Sequence, residues 1–197
     1  MNFIHDSAII ENGVKLGENT SVWDNVHIRK NAKIGHDCII GEKSYIAYDV
    51  VIGNYVKINA QVYVCAGVTI QDKVMISAGA IFTNDKFPRA FSIEGQGLAS
   101  SAPNEETQDT LVGEGATICA NATIIGGNKI GKYSMVGAGS VVTKSVPAYA
   151  LYYGNPARFK GWICKCGTKL GEVKQKAACG KCSSSYILKN NILEKIE

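Results

Sequence analysis

A large apolar residue recurs at every sixth position of this chain, from Ile4 to Phe82 and again from Val112 to Val142. Four residues after most of these positions stands a small or β-branched residue, such as Ala8. An α-helix repeats at about 3.6 residues and a half-buried strand at two, so neither explains this period. Six residues hold one short strand and one turn, and three such units close a triangular coil that must stack on others. The sequence therefore predicts an all-β fold, a parallel β-helix of hexapeptide repeats.

The composition is that of a globular protein. Hydrophobic residues make up 46% of the 197 positions and charged residues 19%, which argues against disorder. The net charge of +4 is too small to indicate nucleic-acid binding. The sequence has no run of 18 apolar residues and no basic-then-apolar leader, so we expect a cytoplasmic protein that does not bind membranes. Three of the seven cysteines fall inside the repeat, where we expect small packing residues: Cys38, Cys65 and Cys119.

The repeat indicates one β-helix domain over residues 1–160. Its first part, 1–83, holds four complete coils and the start of a fifth. The pattern breaks over 84–111, a stretch with two prolines and two glycines, and resumes over 112–146. Long loops inside a regular scaffold are uncommon and usually functional.

Pro147 ends the repeat. Because a solenoid needs its last open edge covered, we expect residues 147–160 to form a cap, either a short helix or an extended segment. Residues 161–197 then form a separate, small, zinc-ribbon-like tail with four cysteines.

Two segments near the end of the repeat carry the most specific signal, GAGSVVTKSVP over 137–147 and GNPAR over 154–158. Together with the six-residue repeat of apolar residues, these two segments resemble the hexapeptide-repeat acyltransferases. The resemblance implies a left-handed β-helix, acetyl-CoA as acyl donor, a homotrimer, and active sites in the clefts between neighbouring subunits.

Stacking of coils predicts which residues share a corner. Residues 18 apart should lie one above another at a spacing of about 4.8 Å. Below Asn84, at the start of the loop, this places Ala66, then Tyr48, then Lys30, with Arg29 beside it. The column spans about 15 Å, enough for a nucleotide sugar lying along the helix. We therefore expect Asn84, Tyr48, Arg29 and Lys30 to bind substrate.

Above the loop, the same count stacks Ala120 and Ala138, with Gly137 beside them. Small residues there would leave a groove and bare backbone N–H groups for a pantetheine arm or a thioester carbonyl. Lys144 and Arg158 lie near the top, where the phosphates of coenzyme A are expected. The alternative is that small residues simply meet the needs of tight turns.

The loop begins IFTND at residues 81–85 and continues to Pro88 and Arg89. This start resembles the branch that acetylates the 3-amino group of nucleotide-linked amino sugars for surface polysaccharides. In that branch the residue matching Asn84 binds the amine, and no side-chain base is used. The substrate implied is a UDP-linked 3-amino-uronic acid, which the short chain and FTND favour, or a dTDP-linked 3-amino-3,6-dideoxyhexose. Arg89 suits a diphosphate or a carboxylate, or else anchors the loop in an ion pair.

The histidines support an amine acceptor. Acetylating an alcohol needs a general base, yet the three histidines, His5, His27 and His36, all lie in the first two coils. The nearest of them, His36, stands about three coils, or about 14 Å, below Asn84. A sugar amine with a pKa of about 8 has a useful neutral fraction without any base. Three loop carboxylates remain as alternative bases: Asp85, Glu105 and Glu106.

The tail contains Cys164 and Cys166, then Cys179 and Cys182. Four thiolates in two short pairs suit tetrahedral zinc in a structural role, although the first pair is C-x-C where a zinc ribbon has C-x-x-C. Free thiols or a disulfide are the alternatives. The tail is basic but lacks aromatic residues interleaved with its lysines, so we do not expect it to bind nucleic acid.

Other functions remain open. The acceptor could be a 4-amino sugar or another small amine or alcohol. The segment GENTSVWDNVHIR, residues 17–29, resembles the opening of γ-class carbonic anhydrases, but the histidine spacings do not supply their three zinc ligands. A non-catalytic β-helical assembly module is a further alternative, and saturable binding of coenzyme A would exclude it.

Overall fold

The computed structural model describes residues 1–92, 95, 97–100 and 102–196, and all regular structure in them is β. Before the loop the strands are β1 Phe3–Ile4, β2 Ile9–Ile10, β3 Lys15–Leu16, β4 Ser21–Val22, β5 His27–Ile28, β6 Lys33–Ile34, β7 Ile39–Ile40, β8 Tyr45–Ile46, β9 Val51–Ile52, β10 Lys57–Ile58, β11 Tyr63–Val64, β12 Val68–Ile70, β13 Met75–Ile76 and β14 Ile81–Phe82. After it they are β15 Thr110–Val112, β16 Thr117–Ile118, β17 Thr123–Ile124, β18 Lys129–Ile130, β19 Met135–Val136, β20 Val141–Val142, β21 Ala150–Tyr153, β22 Arg158–Trp162, β23 Lys176–Ala178, β24 Ser185–Lys189 and β25 Ile192–Ile196.

The strands stack into three parallel sheets, the faces of a triangular β-helix. Sheet one has the order β1-β4-β7-β10-β13-β16-β19-β21-β22, sheet two β2-β5-β8-β11-β14-β17-β20, and sheet three β18-β15-β12-β9-β6-β3. Partners below the loop are 18 residues apart, as in Ile10 with Ile28 and Ile28 with Ile46. The predicted coil of three hexads is therefore confirmed.

The hexad position is the core position. The second residue of each two-residue strand points inward, and those from Val22 to Phe82 and from Val112 to Val142 are at most 4% exposed. The small residue four positions later, such as Val50 or Ala80, is also buried. Ile4 is 45% exposed because it belongs to a terminal coil with no neighbour on one side.

A second six-residue period lies in the turns. The residue three positions after each core position adopts a positive φ throughout the coils, from Gly13 to Gly79 and from Gly115 to Gly139. Glycine and asparagine fill most of these positions because they enter the left-handed region at the lowest cost. Lys43 and Tyr55 adopt it as well, with φ of 57° in both cases. At these turns the hydrogen bonds between coils therefore outweigh the conformational preference of the individual residue.

The loop interrupts the fifth coil. β14 ends at Phe82 and β15 begins at Thr110, so the coils resume two residues earlier than predicted. Phe82 pairs with Ile124, 42 positions away, which is 24 more than the 18 of a regular coil. The Gln108 N–H donates to the Asn84 carbonyl at 2.9 Å and closes the base of the loop. Positions 93, 94, 96 and 101 of the predicted loop lie outside the described residues.

The cap is extended rather than helical. β21 joins the top of sheet one, and β22 returns antiparallel to it, so this hairpin covers the last coil. β22 runs through the predicted domain boundary at residue 160, because the tail begins as a continuation of the cap. The tail itself is the antiparallel sheet β23-β24-β25. Among the described residues, no helix is long and apolar enough to cross a membrane.

Two adjacent valines test the inward-facing rule. Val50 is fully buried and Val51 is 40% exposed on sheet three. We expect Val50→Ala to lower the free energy of unfolding by about 2 kcal/mol, because it removes buried methyl groups and leaves a cavity. Val51→Ala, the same chemical change, should cost less than about 1 kcal/mol. Equal losses in urea denaturation would contradict the assignment of faces.

Candidate functional site

Asn84 lies where the loop leaves sheet two, and the ladder fixes its side chain. Its Nδ2–H donates to the carbonyl of Ala66, the residue one coil below, at 3.1 Å. Within the described residues, Oδ1 accepts no hydrogen bond, so this oxygen is available to a ligand. The side chain is half-buried and opens into a cavity.

Two cavities adjoin at Asn84. The first has a volume of about 540 Å³ and is lined by Arg29, Lys30, Tyr48 and Asn84, among others. The second has a volume of about 510 Å³, lies under the loop, and includes Asn84 and Arg89 in its lining. The structure thus brings together all five residues predicted to bind substrate, and Asn84 lines both cavities.

Arg29 is held rigidly in the floor of the first cavity. Its guanidinium carbon lies 4.1 Å from the centre of the Tyr48 ring. Nη1 donates to the Tyr45 hydroxyl at 2.6 Å, Nη2 donates to the Tyr48 hydroxyl, and Nε lies 2.5 Å from Glu11 Oε1. The guanidinium is therefore a fixed positive charge about three coils, or about 14 Å, below Asn84.

Glu11 is the site residue that sequence reasoning missed. It lies 18 positions before Arg29, one coil below, so a pair of opposite charges at that spacing was the available signal. Its carboxylate also accepts the Lys30 N–H at 2.9 Å and contacts His27 Nε2 at 2.9 Å. Desolvation raises the pKa of Glu11, but the bonds from Lys30, His27 and Arg29 outweigh it and lower that pKa overall.

The histidines have other partners. His27 packs edge-on against Tyr45 with ring centroids 5.5 Å apart, and His36 Nδ1 lies 2.7 Å from Asp37. Neither residue lines the two cavities, and neither does His5.

The predicted position of Ala120 and Ala138 above Asn84 is wrong. They do stack on one another, but above Ala78 at the corner that follows sheet one, not above Asn84. Counting in steps of 18 fails here because the loop inserts 24 residues, which is one coil plus one hexad and moves the count by one face. The residues stacked above Asn84 are Gly126 and Lys144.

Gly126 shows how closely the corner packs. A Cβ at this position would lie 2.8 Å from the Thr83 carbonyl oxygen and 3.0 Å from Asn84 Cα. Only glycine lets the next coil settle on the start of the loop.

The prediction of N–H groups without a hydrogen bond is met at Ala120 and Ala138 and is wrong at Gly137. The Gly137 N–H donates to the Tyr152 carbonyl at 2.8 Å, because β21 covers it. The N–H groups of Ala120 and Ala138 carry no hydrogen bond in the described part of the chain. Lys144 and Arg158 are both exposed at the last coil, where the Ala157 N–H ties the cap to Val141 at 2.8 Å.

The four tail cysteines converge. All four Sγ atoms lie within 4.8 Å of one another. Burial raises the pKa of Cys164 to about 12. Hydrogen bonds with the Thr168 hydroxyl and N–H lower the pKa of Cys166 to about 6.

Two family models match the repeats. "Bacterial transferase hexapeptide (six repeats)" matches residues 13–48, and "Hexapeptide repeat of succinyl-transferase" matches 31–66 and 110–144. A dTDP-3-amino-3,6-dideoxy-α-D-galactopyranose 3-N-acetyltransferase of Aneurinibacillus thermoaerophilus is 49% identical over 87 residues, which are 44% of this chain and 45% of that protein. The chain therefore matches less than half the length of this relative.

Solved structures agree on the fold. PerB of Caulobacter crescentus, in complex with CoA and GDP-perosamine, has a TM-score of 0.51 at 25% identity, covering 81% of this chain and 57% of that one. WeeI of Acinetobacter baumannii AYE has a TM-score of 0.50 at 27% identity, covering 79% and 56%. With the stacked hexads and the matched repeats, these similarities lead to one conclusion: the chain is built from the hexapeptide repeats that these transferases contain.

Proposed function

We propose that the chain is an acetyl-CoA-dependent N-acetyltransferase that acts on the 3-amino group of a nucleotide-linked amino sugar, in the cytoplasm, for surface polysaccharide synthesis. The observation that carries this is Asn84, whose Oδ1 is free at the junction of two cavities while its Nδ2 is committed to the ladder. An amide oxygen accepts hydrogen bonds, and an amine is a donor that it can orient.

The first cavity suits the nucleotide diphosphate. Arg29 and Lys30 supply two positive charges in its floor, and Tyr45 and Tyr63 stack in its wall with ring centroids 5.1 Å apart. Guanidinium groups match phosphate oxygens, and aromatic rings suit a base or sugar. The relative from Aneurinibacillus supports a dTDP-linked 3-amino-3,6-dideoxyhexose over the UDP-linked uronic acid.

The chemistry needs a neutral amine held in one orientation. Asn84 Oδ1 accepts one N–H, which directs the nitrogen lone pair at the thioester carbon. The N–C bond forms, the C–S bond breaks, and the proton released from nitrogen passes to the departing thiolate. The free N–H of Ala120 or Ala138 suits the oxyanion that develops on the carbonyl.

These two groups stand on different corners of one chain, which supports a homotrimer. Asn84 follows sheet two, whereas Ala120 and Ala138 follow sheet one. Exposed apolar side chains are more frequent on sheets one and two, as at Ile39 and Ile81, and exposed lysines are more frequent on sheet three, as at Lys33. A neighbouring copy packed on the apolar sheets would bring its alanine corner to the first chain's Asn84.

The direct test is thiol release from acetyl-CoA with two acceptors, dTDP-3-amino-3,6-dideoxygalactose and a UDP-linked 3-amino-uronic acid. Turnover of either supports the proposal and identifies the nucleotide. Saturable binding of coenzyme A without turnover of either would contradict the 3-amino acceptor and turn attention to 4-amino sugars.

Replacing Asn84 should damage catalysis far more than stability. We expect Asn84→Ala to lower kcat by at least about tenfold, because the amine loses its orienting acceptor. The oligomeric state should not change, and the melting temperature should fall by no more than a few degrees, because only the hydrogen bond from Nδ2 to the Ala66 carbonyl is lost. Asn12→Ala, the same substitution at an exposed turn in the first coil, is the control. Full activity of Asn84→Ala would refute the orienting role.

Replacing Arg29 should instead weaken substrate binding. A charge-assisted contact is worth about 1.5–3 kcal/mol, so Arg29→Ala should raise KM for the nucleotide sugar about tenfold or more. We expect kcat to change by less than about twofold, since Arg29 lies about three coils below the amine. Lys33→Ala, an exposed cation on sheet three, should leave KM unchanged. A loss confined to kcat would argue against a diphosphate at Arg29.

The pH dependence should report the substrate amine. With no histidine in either cavity, kcat/KM should rise with pH through one apparent pKa of about 8 and then stay level. The rate is low below this pKa because the amine is protonated there. A second ionisation near 6.5 that Asn84→Ala leaves intact would indicate an enzyme base.

A further inference from the structure

The tail sheet is joined to the cap by a cluster of sulfur atoms. Cys164 and Cys166 follow β22, and Cys179 and Cys182 lie between β23 and β24. Cys164 Sγ is 3.4 Å from Cys182 Sγ, and Cys166 Sγ is 3.6 Å from Cys179 Sγ. The four thiols thus come from the two segments that must be held together if the tail is to dock.

We propose that these four thiolates bind one Zn²⁺ in a closed structural site, and that this metal fastens the tail onto the last coil of the β-helix. The site is independent of the acetyltransferase activity proposed above.

The geometry fits zinc. Zn–S bonds of about 2.3 Å in a tetrahedron separate the sulfur atoms by about 3.8 Å. Two of the pairs here are 3.4 and 3.6 Å apart, and no pair exceeds 4.8 Å. A disulfide would need a sulfur separation of about 2.05 Å. Four thiolates fill the tetrahedral shell, so the metal has no open position for catalysis.

The tail needs such support. Its own core consists of few side chains, chiefly Tyr186, Leu193 and Leu170, each at most 4% exposed. Units of about 40 residues rarely bury enough apolar surface to fold without a metal, a disulfide or a partner. Cys164 and Cys179 are buried among these side chains, so a metal bound by the cluster would lie against one edge of the tail core.

A chain of contacts links the cluster to the coils. The Tyr186 hydroxyl lies 3.0 Å from Cys164 Sγ and accepts the Lys165 N–H at 3.0 Å. The Tyr186 ring packs against Tyr149, with centroids 5.3 Å apart, and Tyr149 stacks on Tyr133 of the last coil at 5.6 Å. A metal that fixes the four cysteines would therefore also fix the cap on the final coil.

The first experiment measures zinc and iron by mass spectrometry in full-length protein purified without chelator. We expect one zinc per chain. Cys166→Ser and Cys182→Ser alter exposed ligands, so they should still fold but lose most of the metal. Cys119→Ser, a half-buried coil cysteine outside the cluster, should keep one zinc. Less than about 0.2 zinc per chain in the unaltered protein, iron in its place, or two disulfides by intact mass would overturn the site.

The second experiment follows amide exchange before and after zinc is removed by a chelator. Removal should speed exchange by at least tenfold at Ile163, whose N–H donates to the Tyr149 carbonyl at 2.7 Å, and at Leu170. Exchange in the coils from Ile28 to Ile76 should not change. Unchanged exchange at Ile163 in zinc-free protein would refute the fastening role, even where zinc is present.

Discussion

The hydrogen-bond ladder between coils is the interaction on which the rest of this molecule depends. Each short strand offers only two residues, too few to form a sheet with its neighbours in sequence. Stacking gives every strand partners 18 residues away and buries the apolar residue of each hexad. Stability is then a sum over nearest neighbours, so the two ends of the stack are its weakest parts. One end here is covered by the β21–β22 hairpin, and the tail packs on that hairpin.

The same ladder positions the functional groups. Asn84 is oriented by the carbonyl of Ala66, one coil below, and Arg29 by the carboxylate of Glu11, one coil below. Both side chains are therefore held by contacts between stacked coils. Preorganisation of this kind is what an orienting residue needs, because a misplacement of about 1 Å can cost a large part of a rate.

Most of the fold could be predicted from the sequence, since the hexad period specifies both the coil and its buried face. The column of Asn84, Tyr48 and Lys30 could also be predicted, because no insertion lies between them. The placement of Ala120 could not, since the number of inserted loop residues sets the face on which the chain re-enters the stack, and only the pairing of Phe82 with Ile124 reveals it. Glu11 was missed because a single carboxylate in the sequence is not informative until it is paired with Arg29 on the next coil. The sequence does not distinguish an extended cap from a helical one, because the antiparallel pair of β21 and β22 leaves no repeating pattern in the sequence.

The base of the loop is closed by a main-chain hydrogen bond, from the Gln108 N–H to the Asn84 carbonyl, next to a glycine that admits the following coil. The segment between Asn84 and Gln108 can therefore be lengthened or exchanged at little cost in stability, since doubling the length of a flexible loop costs only about 0.6 kcal/mol in closure entropy. The strands on either side, β14 and β15, pair with strands of other coils. The wall that the loop gives to the second cavity can therefore change while the stacked coils stay the same. One stack of hexads can then carry loops of different length and lining at a similar stability.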